Sequence, residues 1–418
     1  MIHITNKKYC CGCSACASIC PKHCITMQAD DKGFLYPVVN ELDCIDCGLC
    51  EKVCNELHPF EERTPQKVYA AINKNEQIRM KSSSGGIFYL LAEKIISEGG
   101  VVFGARFDEQ WQVVIDYAET MEGVKAFMGS KYLQARMDTA YTDAKRFLTE
   151  GRKVLFSGTP CQIAGLHHLL QKSYENLLTL DVICHGVPSP LIWKEYLEKF
   201  KLRPKGVAGK NTVLSSLNEV PIIMGISFRD KYNGWKKFGF SVHIKSALKA
   251  DLNSVSQSIN NKEHVFREPM EKNLYMRLFL NNIILRPSCY KCQSKSGKSN
   301  SDISLADYWG IWRISSKMYD NKGTSLVLGN TQKGIDILRG INYKYIETSY
   351  ADAFRYNPAI EKSCLETAAV EEFWSIYRTN RLNGMTDFLK KYEISFLEST
   401  FLKLKSIASR IIEIFYRS

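Results

Sequence analysis

No stretch of the 418 residues approaches the run of about 18 apolar residues that a membrane span needs. The longest candidate, Ile87 to Gly104, is broken by Glu93, Lys94 and Glu98. The opening segment, MIHITNKKYCCGC, lacks the apolar stretch of a secretory signal, and the chain is too long for a small disulfide-held scaffold. No RNA- or DNA-binding motif accompanies its basic residues, and no internal repeat occurs beyond one pair of cysteine runs. The expectation is a reducing, cytoplasmic setting, with no transmembrane segment and no nucleic-acid partner.

What the chain does hold is cysteine. At 45% hydrophobic and 24% charged residues it can bury an ordinary core, but fifteen cysteines do not belong to that ordinary picture. Ten lie between Cys10 and Cys54, eight of them in two runs of identical spacing: Cys10, Cys13, Cys16, Cys20 with Pro21 following, and Cys44, Cys47, Cys50, Cys54. This C-x2-C-x2-C-x3-C spacing is that of bacterial two-cluster ferredoxins. Three closely spaced thiolates wrap one cubane, and the fourth, a helical turn later, reaches the other. Cys10, Cys13, Cys16 and Cys54 are therefore assigned to one [4Fe-4S] cluster, and Cys44, Cys47, Cys50 and Cys20 to its neighbour. Zinc more often takes two C-x2-C pairs across a longer loop. Cys11 and Cys24 fall outside the spacing, Cys24 reading as a core thiol. Asn55 stands where the first run has proline.

The formal charge of +12 shrinks once clusters are counted, because a cubane with four thiolates carries about −2 overall. The basic residues of 199–210 and 229–237 are spread out and read as solvated faces. An acidic substrate or cofactor remains a fair expectation.

Past a polar linker at 58–66, strand and helix patterns alternate. Strands are expected over 67–72, 101–107, 111–117, 153–156 and 177–183, and helices over 84–98, 138–150, 162–171 and 190–201. Such β-α-β order predicts an α/β domain with a mixed, largely parallel sheet behind a small ferredoxin-like α+β domain. The expected divisions are a two-cluster domain at 1–60, an α/β part at 67–205, a further part of the same catalytic unit at 206–350, and a helical tail at 351–418. Residues 221–249 look β-like. Phe396 to Ser418 has a basic amphipathic pattern, open to a membrane surface, a partner or its own body.

Four later cysteines are candidates for a third site. Cys161 opens a helix after one expected strand, Cys184 ends the next, and Cys289-x-x-Cys292 supplies a chelating pair after Arg286-Pro287. Were the two strands parallel neighbours, both thiols would share the carboxyl rim, where α/β folds bind ligands. A third [4Fe-4S] cluster, a zinc site, a redox dithiol and buried spectators all remain open. Cys364, in a context read as helical, is taken as structural.

Ser83, Ser84, Gly85 and Gly86 open the helix that follows, a turn whose N–H groups suit an anion or serve as a simple N-cap. One-electron clusters need a carrier that also handles electron pairs, and a flavin does so. Ser130, Lys131, Gly158, Thr159 and Pro160 are the other candidate flavin contacts, with Lys131 placed to stabilise an anionic reduced ring. His185 is a candidate proton donor or a satisfied structural histidine.

The head together with SSSGGIFYLLAE, GGVVFGARFD, SKYLQA, GRKVLFSGTPCQIAGL, LLTLDVICHGVPSP, SFRDKYNGWKKFGF and LRPSCYKCQSKSGKSNSDISLADYWGI resembles the coenzyme F420 hydrogenase/dehydrogenase beta-subunit family, over roughly residues 5–350. The resemblance implies an iron–sulfur flavoprotein oxidoreductase, FAD rather than FMN, and cluster and flavin contacts at 158–161, 184–186, 289 and 292. It implies passage of electrons from ferredoxin or another low-potential donor to a small-molecule substrate or a deazaflavin-type cofactor. An electron-transfer subunit serving a partner enzyme is the alternative. Substrate, direction of flow and oligomeric state, a homo-oligomer included, are left open.

Overall fold

The computed structural model of the chain describes residues 1–202, 219–248 and 263–392. The head is built from two antiparallel strands, β1 (Ile25–Ala29) and β2 (Leu35–Val39), and two short helices, Ala15–Ile19 and Leu49–Lys52. Each helix starts from a left-handed residue, Ser14 at φ 65° or Gly48 at φ 71°, which turns the cysteine loop back over itself. Cys16 and Cys50 sit on these helices, while Cys20 and Cys54 follow just past their ends.

The body is built on one eight-stranded sheet. Its members are β3 (Lys67–Asn73), β4 (Val101–Phe107), β5 (Val113–Ala118), β6 (Val154–Gly158), β7 (Leu177–Val182), β11 (Ile303–Asp307), β12 (Ser325–Gly329) and β13 (Tyr343–Glu347), in the order β13-β3-β12-β11-β7-β6-β4-β5. The central strands β4, β6, β7 and β11 run parallel. Antiparallel β5 closes one edge, and β12, β3 and β13 alternate in direction towards the other. The fold is mixed α/β, as the alternation of patterns predicts.

Central strands buried on both faces read as continuous apolar runs, and their alternate residues divide between two cores. Val101, Phe103, Val154 and Phe156 pack under the helices Ala140–Thr149 and Pro160–Leu170. Val102, Leu155 and Leu178 face the opposite way, onto Ile87, Leu91 and Ile95 of the helix Ile87–Ser97. A second, antiparallel sheet of β8 (Glu219–Asp230), β9 (Gly239–Leu248) and β10 (Glu263–Pro269) accounts for the β-like texture of 221–249. Phe228 and Phe240 of that sheet pack with Trp193, Tyr275, Phe373 and Trp374 in an aromatic core. The tail contributes the helix Ala368–Asn380; the amphipathic segment 396–418 lies outside the described residues. No helix among the described residues is long and apolar enough to cross a membrane.

Head and body meet through fitted contacts. Arg286 is fully buried and donates to Cys10 O (2.8 Å), Leu35 O (2.9 Å) and Gln134 Oε1 (3.0 Å), with its guanidinium 4.2 Å from the Tyr36 ring centre. Asn55, at the position where proline follows the first run, donates to Ser294 Oγ at 3.0 Å. Gly12 combines φ +69° with a neighbour so close that a Cβ would lie 2.8 Å from the Arg286 guanidinium. Gly165 brings the helix Pro160–Leu170 against the head, where a Cβ would stand 3.2 Å from Cys13 Sγ.

Candidate functional site

In the head, Cys20, Cys44, Cys47 and Cys50 ring one small cavity. Cys16 lies within electrostatic reach of Cys10 and Cys54, and burial pushes its thiol up to about 12. Backbone N–H groups point at these sulfurs: Ile2 at Cys50 (3.3 Å), Gly12 at Cys10, Ala17 at Cys16, and Lys22 and His23 at Cys20. A neutral thiol has little use for such donors, whereas a metal-bound thiolate is stabilised by each of them. Cys24 is buried 3.4 Å from Cys20 Sγ, inside the head's small core.

At the body's sheet rim, β6 and β7 are adjacent and parallel, so Gly158–Cys161 and Cys184 leave the same edge. Pro160 at the first helical position and a Thr159–Gln162 capping box start the helix that carries Cys161. Cys289 and Cys292 are brought over that edge by a short 3-10 helix, Pro287–Lys291. The four thiols converge: Cys289 has Cys184, Cys292 and Cys161 as charge neighbours, and Cys184 has Cys161 and Cys292. Burial pushes Cys184 up to about 12, against the pull of Lys295, and Cys292 up to about 11. Thiols so placed lose their protons when a metal replaces them. Val187 N–H donates to Cys289 Sγ at 3.4 Å.

Two cysteines outside the expected set join this group. Cys11 lies beside Cys161 and lines the adjoining cleft. Cys364 belongs to no helix; it lies in the connection before Ala368–Asn380, and its thiol donates to His185 O at 2.6 Å. Glu56 is close to Cys11, and burial raises its carboxyl to about 7. Spacing could not have exposed these neighbours, because each reaches the rim from a different part of the chain.

A cleft of about 730 Å³ opens over the rim. Ser83, Ser84, Gly86, Ser130, Lys131, Gly158, Thr159 and His185 line it, together with Cys11, Cys161 and Cys184. Ser83 Oγ accepts from Ser130 N (2.6 Å) and Ser130 Oγ (2.9 Å), which ties the serine loop to the lysine segment. Lys231 braces that loop from below, its Nζ donating to Arg79 O, Ser84 O and Lys322 O. Burial lowers Lys131 to about 7, and among the described residues its hydrogen-bond acceptors are the Met128 and Gly129 carbonyls. His185 stands edge-on to Phe279 with a buried Nε2 that has no partner among the described residues; burial lowers its pKa.

Gly85 and Pro160 do not line the cleft. Gly85 is wedged between strands, where a Cβ would stand 2.3 Å from Ala71 O, and its N–H goes to Ser325 Oγ. Pro160 is buried and lines a separate small cavity with Asp181, Cys184 and Lys295. Arg229, expected on a solvated face, is buried instead. It pairs with Asp307 at 2.8 Å and lies 3.9 Å from the Phe238 ring centre at the cleft wall.

Residues 9–56 match the model of a 4Fe-4S dicluster domain. Residues 151–353 match that of the C terminus of the coenzyme F420 hydrogenase/dehydrogenase beta subunit. Residues 151–353 thus carry the C-terminal domain of the coenzyme F420 hydrogenase/dehydrogenase beta-subunit family, behind a 4Fe-4S dicluster head. The chain is an iron–sulfur electron-transfer head joined to the body of an oxidoreductase family, and both rim turns and the Cys289/Cys292 pair fall inside the family's matched segment. A chain of the xenon-derivatised F420-reducing [NiFe] hydrogenase complex from Methanosarcina barkeri is similar at 15% identity and a TM-score of 0.42, over 78% of this chain and 95% of its own. No curated protein matches in sequence.

Proposed function

We propose that this chain is an iron–sulfur- and flavin-dependent oxidoreductase. It exchanges electrons between the head and a small organic substrate or deazaflavin-type cofactor in the rim cleft. The observation that carries this reading is that Cys161 and Cys184 open onto the same cleft as Ser83, Ser130 and Lys131.

Cys161, Cys184, Cys289 and Cys292 would hold a third [4Fe-4S] cluster, and the serine loop with Ser130, Lys131, Gly158 and Thr159 would hold FAD. When bound, FAD supplies the interchange between single electrons and electron pairs. The volume suits it, since ligand clefts commonly run to about 1,000 Å³. Lys131 offers a cation in an otherwise desolvated wall, and the serine hydroxyls offer donors for phosphate or ring oxygens. His185 reaches the same cleft with a free nitrogen, able to hold a proton where substrate would sit. A pure electron carrier has no need of so large a cleft, which counts against that alternative. A low-potential electron donor and a cytoplasmic location belong to the same proposal.

Anaerobic reconstitution followed by iron, sulfide and flavin analysis tests it. The expected result is about twelve irons and one FAD per chain. Clusters without FAD, after FAD has been supplied, would leave the carrier reading in its place.

Lys131 gives a pH-dependent test. Free, it titrates at about 7 because burial penalises its charge; beside a bound anion its pKa rises, so binding takes up a proton. FAD affinity is therefore expected to be highest below pH 7 and to weaken as pH climbs above it. Lys131→Met should bind FAD about tenfold more weakly at pH 6 and lose that slope. Fluorescence titration of FAD at pH 6 and pH 9 reads both, and parallel slopes in the two proteins would exclude the role.

A further inference from the structure

The two head clusters of the proposed function occupy unlike surroundings. Cys10 and Cys13 are buried against Arg286 and the Gly165 helix. The other set reaches the surface: Cys47 is exposed and Cys44 half-buried, and in the same loop Leu42 is 96% exposed and Ile45 58%. A lone exposed leucine is ordinary. Here two exposed apolar side chains, Leu42 and Ile45, flank Cys44 within the cysteine loop itself, in a head whose other cysteine set is already docked.

Charge distinguishes this loop from the rest of the chain. The formal balance of the whole is +12. Along 41–52, however, Glu41, Asp43, Asp46 and Glu51 outnumber Lys52, and the Met1 ammonium, paired with Asp46 (3.2 Å) and Glu51 (3.3 Å), and Lys22 offset only part of the excess. A bound cluster, with its own net negative charge, deepens it.

We infer that the Leu42–Ile45 face is the port through which electrons enter or leave, and that it fits a small electron-transfer protein whose redox centre is ringed by basic residues. Acidic ferredoxins would meet like charge there. The inference rests on the proposed function only in needing a cluster at Cys20, Cys44, Cys47 and Cys50. Redox encounters of this type bury little area, so apolar contact at the centre sets the fit and charge at the rim sets the encounter rate.

Ferric cytochrome c, a basic haem protein, serves as the probe. One electron leaves a reduced head cluster, which is oxidised, and converts the ferric haem to ferrous; no bond forms or breaks. With the reconstituted chain reduced by dithionite and desalted, stopped-flow rate constants should fall about tenfold from low to high salt. Asp43→Lys with Asp46→Lys should lower the low-salt constant about tenfold and flatten the dependence, whereas Lys52→Glu should raise it. Leu42→Ser with Ile45→Ser should slow transfer at both salts. Reduction of uncharged benzoquinone, which needs no docking, should stay within about twofold throughout. Constants that ignore all these changes, or that rise with salt, overturn the inference. Iron analysis of the same samples shows separately whether the cluster, and with it the proposed function, is at fault.

Discussion

Arg286→Met is expected to lower the midpoint potential of the Cys10 cluster by on the order of 100 mV, equivalent to about 2 kcal/mol of lost charge stabilisation. A reduced cluster carries one more negative charge than an oxidised one, so a buried cation beside it favours reduction and removing that cation lowers the potential. Arg286 is fully buried with Nη2 3.6 Å from Cys10 Sγ, and Cys289 of the rim set also lies within its electrostatic reach. It therefore stands between two groups of thiolates, reducing the repulsion an electron would meet in passing from one to the other.

The same substitution also undoes docking. Cys10 O, Leu35 O and Gln134 Oε1 each lose their charged donor, and a buried acceptor left unsatisfied costs about 1–3 kcal/mol. Arg286→Lys separates the two effects. It keeps the charge and so should hold the potential within about 30 mV of wild type, while its single ammonium cannot span three acceptors, so thermal stability should still drop. EPR-monitored redox titration reads the first effect, and calorimetry the second. Equal potentials in wild type and Arg286→Met would remove the electrostatic role and leave only the structural one.

Much of this architecture can be read from sequence because it rests on local pattern. Ligand spacing in the head is written into the chain at intervals of three and four residues, and the central strands announce themselves by length and apolar continuity. Val154–Gly158 and Leu177–Val182 are short enough that an apolar run means a strand covered on both faces. The rim follows from there, since parallel strands must put their carboxyl ends on one edge.

Other features depend on what folding brings together, and periodicity carries no trace of them. Arg286 reads as an ordinary residue before a proline, yet its guanidinium is the main clasp between head and body. Gly85 reads as part of a phosphate loop, but close packing against Ala71 and Ser325 claims it first. Arg229 sits in a basic, aromatic stretch that looks solvated; Asp307, contributed by β11 some eighty positions later, makes its burial tolerable. Cys11 falls outside the ligand spacing and meets Cys161 only because the head docks on the helix Pro160–Leu170.

That last contact yields a prediction that differs from ligand to ligand. Cys184→Ser should reduce iron from about twelve to about eight per chain and slow electron passage from head to cleft at least about tenfold, with the head clusters intact. Cys184 lies two residues past the end of β7 with Lys295 Nζ fixed on its carbonyl, and Cys364, the further thiol of this group, is engaged as a donor to His185 O. Cys161→Ser should behave differently. Cys11 already lies beside Cys161 at the cleft, so its thiolate can take the vacated iron, and most of the third cluster should survive. Adding Cys11→Ser to Cys161→Ser should then bring the iron down to the Cys184→Ser level. Iron and acid-labile sulfide in these three variants, with EPR of the reduced proteins, decide the matter. Equal losses in Cys161→Ser and Cys184→Ser would mean that Cys11 is only a neighbour, whereas full retention in all three would take the third cluster away from the rim.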